Sequence, residues 1–198
     1  MSRVENCLPR RRPARGFGLI ELVIALAVLA ILVAAAMPSF RELGRRMTVT
    51  STTNDLVGAL NMARAEAAKR GSWVAVIGPS NDWSGGWRVE ADVGAGATPP
   101  NQAFGDPTDL VLQRYEGVDT GAGYAVKTKV TNGNGGDTRI VFGPSGNLVD
   151  SAGGAVVSAD INVCRPDHQA AQSRWIRVQS SGEISSQRDT SSSPAPGC

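Results

Sequence analysis

Across residues 19–37 the chain carries a single polar side chain, Glu21, in an otherwise unbroken apolar run. About 20 residues of this kind, rising 1.5 Å each as a helix, span the hydrocarbon core of a bilayer. Beyond Pro38 the pattern changes but stays helical. Leu56, Leu60, Ala63 and Ala67 fall on one stripe, Arg64, Glu66, Lys69 and Arg70 lie mostly off it, and Gly71 is placed as a C-cap. A helix over residues 17–70 would be about 80 Å long. Two places are expected to weaken it. Pro38 removes a backbone donor and should kink or locally unwind the chain. The run Thr48-Val49-Thr50-Ser51-Thr52-Thr53 is poor in helix formers and is expected to bend or move.

After Gly71 the period shortens to that of strands. Residues 73–77, 87–91, 110–115, 159–163 and 174–178 read as strands bounded by turn residues. Residues 124–131 and 138–142 flank Asn132-Gly133-Asn134-Gly135-Gly136-Asp137, a pattern expected to form a hairpin with a long turn. Residues 94–107 read as a surface loop, and residues 185–197 as an extended Ser/Pro-rich tail. The amphipathic end of the helix must bury its stripe, and a sheet face is the available partner. The fold class is therefore α+β: a long N-terminal transmembrane and assembly helix packed on an antiparallel β-sheet domain. The expected segments are a leader over 1–16, the helix over 17–71 (17–37 in the membrane, 38–71 beyond it), a β-rich domain over 72–184 and a tail over 185–198.

Charge sharpens the reading of the N-terminus. Arg3, Arg10, Arg11, Arg12 and Arg15 all precede the apolar run, opposed there only by Glu5. The positive-inside rule keeps this end cytoplasmic and sends the body outward. Removing residues 1–16 turns the net charge from +2 to −2, so the body is not basic and composition carries no nucleic-acid signal. An ordinary secretory signal, with Ala34-Ala35-Ala36 as its small-residue cleavage site, and a plain single-pass anchor both fit the hydrophobicity. Neither accounts for Glu21. A carboxylate deep in a bilayer costs roughly 2.5–3.5 kcal/mol on insertion scales and usually marks function. Cleavage after Gly16 would leave an ammonium on Phe17, four residues and one helical turn before Glu21. At about 4 Å and an effective dielectric near 20, that pair attracts by roughly 4 kcal/mol before desolvation.

Gly16-Phe17-Gly18-Leu19-Ile20-Glu21-Leu22 resembles the processing motif of type IV prepilins and type II secretion pseudopilins, and Pro38 stands where many pilins carry a proline. The resemblance implies cleavage after Gly16 by a prepilin peptidase, N-methylation of Phe17, and a role for Glu21 in subunit docking. In the body, the helix end with Ala63-Arg64-Ala65-Glu66-Ala67, then Trp83-Ser84-Gly85-Gly86-Trp87-Arg88-Val89, Ile140-Val141-Phe142-Gly143-Pro144-Ser145-Gly146, Val163-Cys164-Arg165 and residues 176–182 are similar to the GspH/FimT family of minor pilins and pseudopilins. This implies a structural subunit of a type IV pilus or type II secretion filament, acting in filament initiation or at the tip. Its implied partners are other minor and major pilins or pseudopilins, the prepilin peptidase and the inner-membrane assembly platform. Its implied location is the bacterial inner membrane, single-pass, with the body periplasmic.

Candidate chemistry adds little. Of the three cysteines, Cys7 falls in the leader. Cys164 and Cys198 remain as an even pair in what would be an oxidising compartment, and a disulfide between them pinning the C-terminus is the expected reading over two free thiols. His168, the one histidine, lies four residues after Cys164, without an orienting third group or an oxyanion motif. Cys164, His168 and Cys198 make a poor metal set, with three ligands and no fixed spacing. The Asn132 to Asp137 loop lacks the acidic end ligand of a calcium loop, and no phosphate-binding loop occurs. The expectation is a protein with no catalytic residues, metal or cofactor. A DNA-binding tip pilin is the alternative. Some FimT-type pilins bind DNA through Gly-Arg-x-Arg near the C-terminus, but here the matching place reads Gly182-Glu183-Ile184-Ser185. Arg174, Arg177 and Arg188 are left as a weak candidate patch, with a solvated strand face as the plainer reading of Arg174 and Arg177.

Overall fold

A computed structural model describes residues 18–93, 104–105, 107–131, 138–150, 153–167, 172–188 and 197–198. Gly16, Phe17, His168 and the Asn132 to Asp137 loop lie outside them. The chain divides into two units, Met1–Glu42 and Leu43–Cys198. One helix, α1 (Leu19–Arg70), contributes to both.

In the first unit α1 begins just after Gly18, whose carbonyl accepts from the amides of Glu21 (3.0 Å) and Leu22 (3.2 Å). Glu21 sits in this first turn, where exposed amides favour a carboxylate. The helix is assigned without interruption through Pro38, so the chain is not unwound there.

In the second unit α1 supplies the core stripe that the period predicts. Leu56, Leu60, Ala63 and Ala67 are fully buried, and Ala59 and Val49 join them. The Thr48 to Thr53 run, poor in helix formers, is helical throughout. Its hydroxyls bond back into the helix, Thr53 Oγ1 to the Val49 carbonyl at 2.6 Å and Thr48 Oγ1 to the Gly44 carbonyl at 3.2 Å. Thr52 and Thr53 are also buried against the body, and that packing overrides their modest propensity. Gly71 ends the helix at φ +62°, the left-handed conformation of a C-cap.

Nine strands follow: β1 (Val74–Ile77), β2 (Gly86–Ala91), β3 (Leu110–Glu116), β4 (Ala125–Thr131), β5 (Arg139–Phe142), β6 (Leu148–Val149), β7 (Ser158–Cys164), β8 (Arg174–Gln179) and β9 (Ile184–Arg188). They form two antiparallel sheets, ordered β3-β2-β1-β5-β6 and β4-β7-β8-β9. Two expectations are corrected here. β4 and β5 do not pair as a hairpin: β4 joins β7 in one sheet, and β5 joins β1 and β6 in the other. The turn-forming residues between them connect two sheets rather than two neighbouring strands. The tail expected from Ser185 onward begins instead as β9, which pairs with β8 from Ile184 to Arg188.

Alternate residues from both sheets meet the helix stripe. Val74, Val76, Val89, Ile140 and Phe142 from the first sheet cluster with Val126, Ile161, Ile176 and Val178 from the second, around Leu56, Leu60 and Ala63. The segment before β2 fastens the two sheets together. The Trp83 amide donates to the Val126 carbonyl at 2.8 Å, and the Thr128 amide donates to the Asn81 carbonyl at 3.0 Å. Trp83 itself is wholly buried, with its ring against Gly78; a Cβ built there would lie 2.2 Å from the ring.

Candidate functional site

Three features bear on function: the uncovered apolar stretch of α1, the clasp that holds the second unit together, and the edge of the four-stranded sheet. In the first unit every large apolar side chain from Leu19 to Val33 is more than half exposed. An apolar surface that large, left bare by its own chain, needs lipid or protein around it. The stretch is long and apolar enough to cross a membrane. It carries one carboxylate, Glu21, and ends near Arg41, whose guanidinium contacts the Met37 sulfur at 3.9 Å.

The clasp centres on Arg64, which the sequence pattern assigns to the polar side of the helix. Its Nε donates to the Gly146 carbonyl at 3.2 Å, in the β5–β6 turn, and its Nη2 to the Ser181 carbonyl at 3.5 Å, in the β8–β9 turn. One helix residue thus reaches a turn of each sheet. The turns also touch directly, since the Leu148 amide donates to the Ser180 carbonyl at 3.0 Å. Gly182 makes the approach possible: it sits at φ +78°, and a Cβ on it would lie 2.0 Å from the Gly146 carbonyl oxygen. The glycine of Gly182-Glu183-Ile184-Ser185 is therefore required by packing. Glu183 is exposed and its carboxylate accepts from Gln179 Nε2 at 3.3 Å.

A disulfide joins Cys164, at the end of β7, to Cys198, with a Cα–Cα distance of 5.5 Å. Both thiols are consumed by it, so neither is a metal ligand or nucleophile. Between the sheets, Asp82 pairs with Lys127 and accepts from the Ser84 amide at 3.0 Å, while Ser84 Oγ accepts from the Val126 amide at 2.9 Å. Partial burial pushes the Asp82 carboxyl up, but the hydrogen bonds from Lys127 and Ser84 outweigh it and hold it below its ordinary value.

The three arginines of the candidate patch do not share a face. Ile176 and Val178 point into the core, so Arg174, in step with them, lies on the helix side of β8, and Arg177 lies on the other. Arg177 is committed there. Its Nε donates to Asp160 Oδ1 at 2.8 Å and its guanidinium stacks 4.4 Å from the centre of the Trp175 ring. Asp160, almost fully buried, also accepts from Trp175 Nε1 at 3.0 Å. Arg188 is the direct cross-strand partner of Arg174 and shares its face. The two are joined by a residue outside the candidate patch, Arg46 of α1, around one cavity. This corrects the expectation that Arg174 and Arg177 share one solvated strand face: residues three apart on a strand point to opposite sides. Arg46 had no comparable signal.

With this geometry in place, comparison with known proteins fixes the family. A model of the family described as Type II transport protein GspH matches residues 52–182, about two thirds of the chain. The chain belongs to the GspH family. The matched span takes in the helix stripe, Arg64, strands β1 to β8 and Gly182. A second model, the prokaryotic N-terminal methylation motif, matches residues 11–37, covering the leader junction and the apolar stretch. No curated protein sequence matches significantly. Among solved structures, the type IV minor pilin FimU of Pseudomonas aeruginosa in space group P21 is 19% identical, with a TM-score of 0.53 over 77% of this chain and 96% of that one. FimU in space group P65 is 18% identical, with a TM-score of 0.49 over 75% and 98%. At such identity the likeness to the first is one of fold, a long apolar helix with antiparallel sheets. Family, methylation motif and fold together make this GspH-family protein a membrane-anchored subunit of the minor pilin and pseudopilin class, which assembles with other pilins in a filament. That class is structural, not enzymatic.

Proposed function

We propose that this chain is made as a precursor, cut between Gly16 and Phe17 by a prepilin peptidase, methylated on Phe17, and held in the bacterial inner membrane with its N-terminus cytoplasmic and its body periplasmic. From there the helix is drawn into the core of a type IV pilus or type II secretion filament. The body forms part of an initiating or tip complex with other minor subunits on the inner-membrane assembly platform.

The observation that carries this reading is the bare apolar stretch of α1 with one carboxylate in its first turn. Lipid covers such a surface during storage, and neighbouring helices cover it in a filament. In either setting Glu21 needs a cation, and the amine created at Phe17 lies one turn away in sequence. Glu21 on one subunit and Phe17 on the next form the docking pair, and a bend at Pro38 lets the helix adapt to its neighbours. Among the described residues of the body, Cys164 and Cys198 are bonded to each other, and the Asp160 carboxylate is occupied by Trp175 and Arg177.

N-terminal sequencing of the mature protein tests the proposal. The expected result is methyl-Phe followed by Gly-Leu-Ile-Glu. A start at Met37 would mean an ordinary secretory signal and would overturn it. The DNA-binding alternative gains nothing from the geometry, because Arg177 is tied to Asp160 on the opposite face from Arg174 and Arg188 and a phosphate backbone is best held by a track of free cations.

A further inference from the structure

The two sheets end in four outer strands, which differ in how they are closed. β6 has two residues and is bridged to Ala155. β4 is covered by the segment before β2, through Asn81, Asp82 and Trp83. β9 is polar after Ile184. β3 has seven residues, five of them exposed, Leu110 and Val111 included. Among the described residues it pairs with β2 alone. An uncovered edge of this length is a template for a further strand.

Two charged residues near the end of β3 lack a counterpart on their own sheet. Arg114 stands directly across from Arg88, a like charge, and the Arg88 Nε is already bonded to Glu90 at 2.6 Å. Glu116 stands across from Gly86, which has no side chain. Among the described residues neither Arg114 nor Glu116 has an ion-pair partner. Both are exposed, and a cavity of about 560 Å³ that they line with Ile77, Pro79 and Arg88 leaves open space beside them. Their main chain also faces outward. The Tyr115 carbonyl oxygen is turned toward β2, since a Cβ on Gly86 would lie 2.6 Å from it. Backbone groups alternate in direction along a strand, so the N–H and C=O of Arg114 and Glu116 point to the open edge.

Arg114-Tyr115-Glu116 is its own complement when run antiparallel. With a second copy placed about a two-fold axis at Tyr115, Arg114 of each copy meets Glu116 of the other. The match holds for the side-chain charges and for the outward backbone donors and acceptors. Moving the axis to Arg114 would set two guanidiniums opposite each other, so the charges fix the register. We infer that β3 is the seam of a two-fold homodimer, joined strand to strand by reciprocal Arg114–Glu116 pairs. A contact between two identical patches closes as a dimer and does not extend. The pair therefore belongs to subunits outside a filament, and it stands or falls independently of the filament reading.

The test uses the full chain in detergent micelles, with Cys7→Ser to remove the leader thiol, followed by sedimentation equilibrium at low salt. The chain should show a reversible dimer. Arg114→Glu and Glu116→Arg each turn two attractions into two repulsions and should weaken dimerisation about tenfold or more. The double swap, Arg114→Glu with Glu116→Arg, restores opposite charges and should bring association back to within about threefold of the starting value. Chains with Arg114→Cys mixed with chains with Glu116→Cys should cross-link under mild oxidation, because paired Cα atoms at about 5.5 Å lie within disulfide range. Both positions are exposed, so every variant should keep the unfolding midpoint of the unsubstituted chain, and a lost dimer is then not a lost fold. A chain that stays monomeric at about 100 μM would overturn the inference and leave β3 to a strand of a different subunit. Dimers indifferent to both single reversals, or not restored by the double swap, would overturn it as well.

Discussion

At the scale of single residues, Gly182 and Asp82 carry consequences that their neighbours do not. Gly182→Ala introduces a Cβ 2.0 Å from the Gly146 carbonyl oxygen at a backbone φ of +78°. Left-handed conformation costs about 1–2 kcal/mol for a non-glycine residue, and the overlap forces the two turns apart for a similar sum. A loss of about 2–4 kcal/mol in urea unfolding is expected, and a loss under about 0.5 kcal/mol would mean that the turns are not in contact in solution. Asp82 makes stability depend on pH. Its carboxyl is held below the ordinary aspartate value, so the folded state favours the charged form. Its contribution is complete above about pH 4 and fades as pH falls through the lowered value. Asp82→Asn should therefore unfold more easily than wild type at pH 7, with the gap narrowing as pH falls below the ordinary aspartate range; a constant gap would disprove the Asp82–Lys127 link. Little of this was legible beforehand. Strand alternation separates Arg174 from Arg177, against the expectation of one shared face, while Arg64, Arg46 and Asp160 acquire roles only through contacts with residues far off in sequence, which no local pattern encodes.

Elements were easier to read than their partners. The stripe Leu56, Leu60, Ala63 and Ala67 gave the buried helix face directly, because 3.6-residue periodicity is a local property. Most strands were legible for the same reason. Pairing was not: Asn132 to Asp137 has hairpin chemistry, yet β5 is drawn to β1 and β4 to β7 by the shape of the core. The Thr48 to Thr53 run stays helical despite its modest propensity because burial of Val49, Thr52 and Thr53 outweighs it. β9 was hidden by its polar composition, Ile184-Ser185-Ser186-Gln187-Arg188, since an edge strand needs little apolar surface. It lies inside the loop that the disulfide closes between Cys164 and Cys198. Cys198→Ser frees a loop of 34 residues, which the chain-entropy model values at about 3–4 kcal/mol of stability. Urea unfolding of the oxidised protein should show a loss of that size, with wild type falling to the same midpoint under reductant. Equal midpoints for wild type and variant under oxidising conditions would mean that the bond is not formed in the mature protein.

For the whole molecule, the two units answer to different solvents. Every described buried residue of the main core falls between Val49 and Val178, whereas the large apolar side chains from Leu19 to Val33 are more than half exposed. The stability of the body is thus expected to reside in residues 43–198, and the first unit is needed for location and assembly. A chain beginning at Leu43 should unfold within about 0.5 kcal/mol of the full chain, because every described residue of the main core is retained. It should also stay in solution without detergent, since it lacks the stretch long enough to cross a membrane. In cells the same truncation should be absent from filaments even when made in normal amounts, because it has neither Glu21 nor a helix to enter the filament core. The measurements are urea unfolding in parallel with the full chain and immunodetection in the filament fraction. Incorporation of the truncated chain at the wild-type level would place the assembly contacts on the body alone, and the bare helix would then be an anchor and nothing more.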